Sequence, residues 1–271
     1  MITSTGNARI RNLVQLRKKA KERDAQDVFL VEGIKMFREI PDTLLKEVYA
    51  SESFIKSALG KSALEDCRAE IQVVSDEVFQ AISDTRTPQG ILALAGQLHY
   101  RPEDLLGRAG GQTEAERKPL LVILENLQDP GNLGTILRTA EGAGVTGILL
   151  GRGSADVYNP KVTRSTMGSI FRLPFYYTED LAASMRRLRS EGILIYAAHL
   201  KGDRDYDQVD CRCACAFLIG NESRGLSDSA AAEADRLIRI PMCGNVESLN
   251  AGVASAILMY EAGRQRRREK T

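Results

Sequence analysis

Residues 119–150 read PLLVILENLQDPGNLGTILRTAEGAGVTGILL, and this stretch decides the fold. Leu120–Leu124 is an unbroken apolar run, suited to a parallel strand covered on both faces. The turn QDPGNLG, Gln128–Gly134, follows it. Leu133, Leu137, Ala140 and Gly144 then recur at helical spacing and predict a helix to about Gly142. Gly147–Leu150 is the next apolar run. Strand, helix and strand within about 30 residues form one βαβ unit, so an α/β domain is expected around it.

The alternation continues toward the C-terminus. A helix is predicted over Leu181–Ser190, and strands over Ile193–Ala197, Ala216–Gly220 and Leu237–Ile240, the last ended by Pro241. Asn250–Arg264 is a closing helix with an apolar stripe of Leu249, Val253, Ile257 and Tyr260, expected in the core. Its many small residues also permit a close helix–helix approach, as in a dimer contact. Upstream, Arg101–Lys118 is polar, contains Gly110-Gly111, lacks an apolar period and reads as a linker. Before it, strands at Phe29–Val31, Val48–Ala50, Ile71–Val74 and Gly90–Ala95 alternate with helices. Thr3–Ala25 reads as one amphipathic helix on Ile10, Leu13, Val14 and Leu16. The expected division is a smaller N-terminal α/β domain over 1–100, a linker over 101–118 and a second α/β domain over 119–271, in keeping with 271 residues at ~150 per domain.

Thirty-seven basic and 36 acidic residues give a net charge of +1, which excludes a uniformly basic coat but not a local patch. Such a patch lies between Asn7 and Arg23, where seven basic residues (Arg9, Arg11, Arg17, Lys18, Lys19, Lys21, Arg23) stand against Glu22 alone. The longest apolar runs, Ala214–Gly220 and Val253–Tyr260, fall short of the ~20 residues of a membrane helix. The start MITSTGNARIRN lacks the apolar core of a signal peptide. Of five cysteines, Cys211, Cys213 and Cys215 alternate just before AFLIG, as on one face of a strand; reduced thiols in a cytoplasmic protein are expected. With only His99 and His199, no metal site is expected. The basic tail Arg264–Lys270 reads as a solvated end, with RNA contact as the alternative.

Three turns carry the chemistry, and each follows a buried strand. They are Glu125–Gly134 (ENLQDPGNLG, leading to Arg138), Ile219–Ser227 (IGNESRGLS) and Ile240–Asn250 (IPMCGNVESLN). Ligands of open α/β sheets bind beyond the carboxyl ends of strands. Neither a phosphate loop nor G-x-G-x-x-G is present, which argues against a nucleotide-dependent dehydrogenase. Asn132, Asn221, Ser248 and Asn250 can donate and accept hydrogen bonds, the Glu222 carboxylate accepts them, and together they could orient a polar substrate. Each has a local alternative: Asn132 as a helix N-cap, Ser248 as the cap of the last helix with Asn250 in its first turn, and Arg138 as a surface residue paired with Glu141.

ENLQDPGNLGTILRTAEGAG, IGNESRGLS and IPMCGNVESLNAGVASAILMYE resemble, in order, the three signature motifs of the SpoU/TrmH family of RNA ribose 2′-O-methyltransferases in the SPOUT superfamily. Thr3–Arg38, with FLVEGIKMFR, resembles the family's N-terminal substrate-binding domain. One departure is Ser223, where the second motif usually has glycine. The resemblance implies an α/β catalytic domain with a deep trefoil knot, a homodimer with its site built across the interface, and S-adenosylmethionine as methyl donor. It places donor contacts at Gly220, Ile240 and Leu249, with Leu200 and Met242 as walls. It makes Arg138 the central catalytic group, as a base or as a cation that steadies phosphate and alkoxide. Asn132 is expected to orient the hydroxyl or Arg138, Glu222 to pair with Arg138 and set its orientation, and Ser248 and Asn250 to complete the polar wall. RNA contacts are expected at Arg9, Arg11, Arg17, Lys18, Lys19 and Lys35. A separate N-terminal domain favours ribosomal RNA; the alternatives are a tRNA ribose methyltransferase, a SPOUT enzyme acting on a base, and a non-catalytic RNA-binding module.

Overall fold

The computed structural model describes residues 1–107 and 118–268. The chain divides into two compact units, Met1–His99 with Asp156–Phe171, and Tyr100–Ala155 with Arg172–Thr271. The excursion Asp156–Phe171 therefore belongs to the N-terminal unit, although a linear division at residue 119 assigns it to the other.

In the N-terminal unit the order is α1 (Ala8–Lys18), α2 (Ala20–Gln26), β1 (Val28–Glu32), α3 (Ile34–Arg38), β2 (Leu45–Ser51), α4 (Glu52–Lys56), α5 (Ala58–Leu64), β3 (Glu70–Val74), α6 (Asp76–Ile82) and β4 (Ile91–Gly96). The strands form a mixed sheet in the order β1-β4-β2-β3, with only β2 and β3 parallel. Ile10, Leu13 and Leu16 of α1 meet Val78, Phe79 and Ile82 of α6 in its core. The single helix expected over Thr3–Ala25 is two helices, because Lys19 adopts an extended backbone. The break lets Arg23 turn inward. Its side chain is buried, donates to the Leu16 carbonyl at 2.6 Å and pairs with Asp156.

The second unit contains β5 (Leu120–Leu124), α7 (Pro130–Ala143), β6 (Gly147–Gly151), β7 (Phe175–Thr178), α9 (Leu181–Ser190), β8 (Leu194–Ala198), β9 (Arg204–Asp205), β10 (Cys215–Ile219), α10 (Asp228–Ala232), β11 (Arg236–Arg239) and α11 (Ala251–Arg268); α8 (Pro160–Thr166) lies in the excursion. Its seven strands are all parallel, in the order β7-β6-β5-β10-β8-β11-β9. The short strands β7 and β9 sit at the two edges and were not expected from sequence. Leu121, Ile123, Ala216 and Leu218 share a buried cluster with Met185 and Leu188 of α9 and Ala230 of α10.

The expected linker starts too early at Arg101. Pro102–Leu106 forms a 3-10 turn whose Leu105 and Leu106 are buried in that same cluster. Gly147 is required there, since a Cβ would lie 2.6 Å from the Leu105 Cα. Two adjacent leucines are too few to show a period, so the polar remainder hid them. Gly110-Gly111 lies outside the described residues.

The stripe expected in the core on α11 is instead its outer face: Val253 and Tyr260 are 48% and 50% exposed, while Ala251, Gly252, Ser255, Leu258, Met259 and Ala262 face inward. Small residues carry the packing, as where Gly252 approaches Thr135 of α7. The basic tail is not simply solvated. Arg266 donates to the carbonyls of Lys118, Pro119, Cys211 and Cys213, tying the end of α11 to the starts of β5 and β10. All five cysteines are free, and only Cys215 of the alternating three lies within a strand.

Candidate active site

Strands β5, β10, β8 and β11 are adjacent and parallel, so the turns that follow them leave one edge of the sheet. From β5 the sheet grows outward through β6 and β7, and from β10 through β8 and β11. The β5–β10 junction is thus the topological switch point where ligands of open α/β sheets bind.

Side chains from all three turns meet there. The Glu222 carboxylate accepts hydrogen bonds from the Gln128 and Asp129 backbone amides at 3.1 and 2.9 Å and from the Asn132 amide at 3.1 Å. The Asn132 carbonyl oxygen accepts from the Asn250 amide at 2.8 Å. The Asn250 carbonyl oxygen accepts from the Gly252 and Val253 backbone at 2.9 and 3.2 Å. The chain of bonds has a fixed direction. A carboxylate that only accepts stands at one end, and helix amides that only donate stand at the other. Both asparagine amides are therefore locked in one orientation, and each retains a second N–H for a ligand. Partial burial works against the charge of Glu222, but the Asn132, Asp129 and Gln128 donors outweigh it and hold the carboxyl below its ordinary value.

The caps differ from the local alternatives. Asp129, not Asn132, caps α7 by accepting from the Asn132 backbone N–H at 2.7 Å. Asn250, not Ser248, caps α11. Ser248 is exposed and makes no hydrogen bond among the described residues. Arg138 is exposed on α7 and has neither an ion pair nor a hydrogen bond among the described residues. The expected Glu222–Arg138 pair is absent because Glu222 is already held by the first turn. Glu141, the alternative partner of Arg138, bonds Arg172 at 3.0 Å.

Gly220, Leu200 and Ile240 lie just beyond the ends of the adjacent strands β10, β8 and β11. Leu200 is 66% exposed, and Ile240, Met242 and Leu249 are half-buried. These loops therefore present uncovered apolar surface beside exposed backbone, which fits a ligand with a flat aromatic base. Gly220 needs no ligand to be glycine: a Cβ would lie 2.4 Å from the Gly225 carbonyl carbon. Ser223 is free of backbone strain, since the positive-φ residues other than glycine are Asp27, Asn126 and Met167. The Ser223 amide instead donates to the Asn221 side chain at 3.0 Å.

Further supports lie inside the quoted turns; of these Asn221 was singled out from sequence, and Glu125, Asn126 and Ser227 were not. Glu125 accepts from the Ser227 backbone and hydroxyl at 2.9 and 2.6 Å, and the Asn221 amide donates to the Asn126 carbonyl at 2.8 Å. Among the expected RNA contacts, Arg11, Lys18, Lys19 and Lys35 are exposed and unpaired among the described residues. Arg9 lies 3.7 Å from Glu70. Arg17 is half-buried and donates to the carbonyls of Ala81 and Ser83.

Residues 119–260 match the SpoU rRNA Methylase family, and residues 7–93 match the MRM3-like substrate binding domain. The chain belongs to the SpoU rRNA methylase family. It is 34% identical over 264 residues to the 23S rRNA (guanosine(2553)-2′-O)-methyltransferase RlmP of Bacillus subtilis, covering 96% of this chain and 97% of that one. The SpoU methyltransferase AviRb from Streptomyces viridochromogenes, solved with the cofactor AdoMet, is 27% identical with a TM-score of 0.84 over 96% of this chain and 98% of its own. The A. aeolicus TrmH/SpoU tRNA modifying enzyme is 27% identical with a TM-score of 0.51, over 57% of this chain and 78% of its own. As a SpoU family member, the chain is an S-adenosylmethionine-dependent methyltransferase.

Proposed function

We propose that this enzyme methylates a ribose 2′-hydroxyl of 23S ribosomal RNA, in the cytoplasm and as a homodimer. The observation that carries the reading is the hydrogen-bonded chain Glu222–Asn132–Asn250, in which one residue from each of the three motifs meets at the sheet edge. The preference for ribosomal RNA over tRNA rests on coverage. The 23S rRNA enzyme matches nearly the whole chain, whereas the tRNA enzyme matches little more than half of it.

Gly220, Ile240 and Leu249 would hold S-adenosylmethionine, with Leu200 and Met242 covering its adenine. When bound it supplies a methyl group activated on a sulfonium. The protein's task is then to bring the 2′-oxygen into line and to manage the charge that develops on it. The free N–H groups of Asn132 and Asn250 suit an oxygen acceptor. Arg138, exposed and without an ion pair among the described residues, acts as a cation toward phosphate and the forming alkoxide, the ordinary role of a guanidinium beside an anion. Ser248 lines the same turn. The exposed Val253 and Tyr260 of α11 supply an apolar surface for a second copy, and the catalytic unit is assigned the family's trefoil knot.

The test is methyl transfer from labelled S-adenosylmethionine to 23S ribosomal RNA from a strain lacking this enzyme, with digestion to nucleosides. A single new 2′-O-methylnucleoside is expected. A methylated base, or label in tRNA alone, would overturn the assignment.

A further inference from the structure

The first two turns also enclose a cavity of about 480 Å³ that the chemistry above leaves unused. Its volume is that of a small-ligand site. None of the residues assigned to the methyl donor lines it. The lining side chains fall into two groups. Glu125, Asn221 and Ser227 are engaged in the bonds that build the walls. Asn126, Gln128, Ser223 and Arg224 also line the cavity, yet their side chains make no hydrogen bond or ion pair among the described residues. The leftover groups are thus one guanidinium, two carboxamides and one hydroxyl.

That set selects a ligand class. A guanidinium matches a phosphate by charge and by its fork of donors. A carboxamide both donates and accepts, and so suits the edge of a nucleobase. No aromatic ring lines the cavity, so a base would be read along its edge rather than stacked. A cationic sulfonium is disfavoured beside Arg224. The cavity adjoins the reaction centre, because Glu222 lies between the lining residues Asn221 and Ser223, and the Gln128 backbone itself donates to Glu222.

We propose that this cavity receives the nucleotide neighbouring the methylated ribose, with Arg224 on its phosphate and Gln128 on its base edge. The inference rests on the RNA methyl-transfer reading above and adds a sequence-reading subsite to it. Gln128 becomes a specificity-determining residue, and Ser223, the departure from the family motif, a local contributor to it.

The experiment uses the full chain, unmodified 23S ribosomal RNA and the variants Arg224→Ala, Arg224→Lys and Gln128→Ala. RNA affinity is measured by filter binding across a salt series, methyl-donor affinity by calorimetry, and kcat and KM by methyl transfer. Arg224→Ala is expected to raise RNA Kd and KM about 10-fold and to lower the salt slope by about 0.7 to 0.9, with donor affinity unchanged. Arg224→Lys should keep the slope and recover part of the affinity. Gln128→Ala should leave the slope unchanged while reducing, about 10-fold, discrimination among RNAs altered at the neighbouring nucleotide. Unchanged RNA Kd and slope in Arg224→Ala would overturn the subsite. Loss of donor affinity with RNA binding intact would overturn it too, by giving the cavity to the methyl donor. Absence of methyl transfer by the unaltered enzyme would instead defeat the underlying reading, and that result is visible before any variant is compared.

Discussion

In the N-terminal unit, basic residues crowd one segment of sequence but have different fates in space. Lys18 and Lys19 face solvent, Arg17 holds backbone carbonyls and Arg23 is buried against Asp156. In the catalytic unit, residues up to 118 positions apart converge on one hydrogen-bonded chain with a single charged member. Counting charge along the sequence therefore overstates the first surface. Counting hydrogen-bonding side chains in the turns understates the second site. The difference is one of geometry: an exposed charge acts alone, whereas an amide acts only when both of its ends are directed.

The comparison is tested most severely at Arg138. Arg138→Ala is expected to lower methyl transfer on the order of 10³-fold while leaving donor affinity and thermal stability unchanged, as befits an exposed residue with no partner. Arg138→Lys should retain measurable activity, because a cation remains. Full activity in Arg138→Ala would make this residue a surface arginine, and a lowered Tm would give it a structural role instead. Mixing Arg138→Ala with Asn250→Ala subunits sharpens the point. Asn132, Glu222 and Asn250 meet within one chain, so heterodimers regain activity only if Arg138 reaches the partner's site.

Arg23 is the opposite case. Removing it leaves the partly exposed Asp156 carboxylate with the Tyr158 backbone donor and breaks the bond to the Leu16 carbonyl, so Arg23→Ala should cost about 2–4 kcal/mol in denaturant unfolding, below the range of a fully buried pair. The expected loss in RNA binding should disappear when only folded protein is counted. Wild-type stability in this variant would return Arg23 to the solvent-facing patch.

Glu222 tests the directed chain. Glu222→Gln keeps one acceptor but places a donor opposite an N–H, which frees Asn132 to flip. About 10-fold loss in kcat is expected, with little change in donor affinity. Acid should imitate the variant. Because the Glu222 pKa is lowered on folding, its contribution is present above the ordinary carboxylate range, about 4.3, and is lost as pH falls through the lower folded value. An activity profile of Glu222→Gln as steep in acid as that of the wild type would remove Glu222 as the titrating group.

The parallel core was legible because β5, β6 and β10 are buried on both faces and appear as continuous apolar runs. Edge strands β7 and β9 were not, being short and only partly covered. The three turns could be read as ligand loops, yet their partners could not. Nothing local distinguishes Asn132 as a cap from Asn132 as the middle of a relay, and the choice is made by Asp129 occupying the cap. The α11 stripe misled for a related reason. With Ala, Gly and Ser packing closely on the inner side, the larger Val253 and Tyr260 were left outside, against the usual rule that big apolar residues mark the core.

The smallest effect is expected at Lys18 and Lys19, and it decides whether any of the N-terminal charge serves RNA. Both are exposed and unpaired among the described residues, so the double variant Lys18→Ala, Lys19→Ala should fold with unchanged Tm. If each neutralises one phosphate, the salt dependence of RNA affinity falls by roughly 1.4 to 1.8, from about 0.7 to 0.9 per contact. The accompanying loss of affinity is a few-fold at physiological salt, because surface charges are largely screened there. Extending the series to Arg11→Ala and Lys35→Ala should add similar increments. A constant slope through the series would mean that the basic segment, conspicuous as it is in sequence, is a solvated face whose inner members hold the domain together.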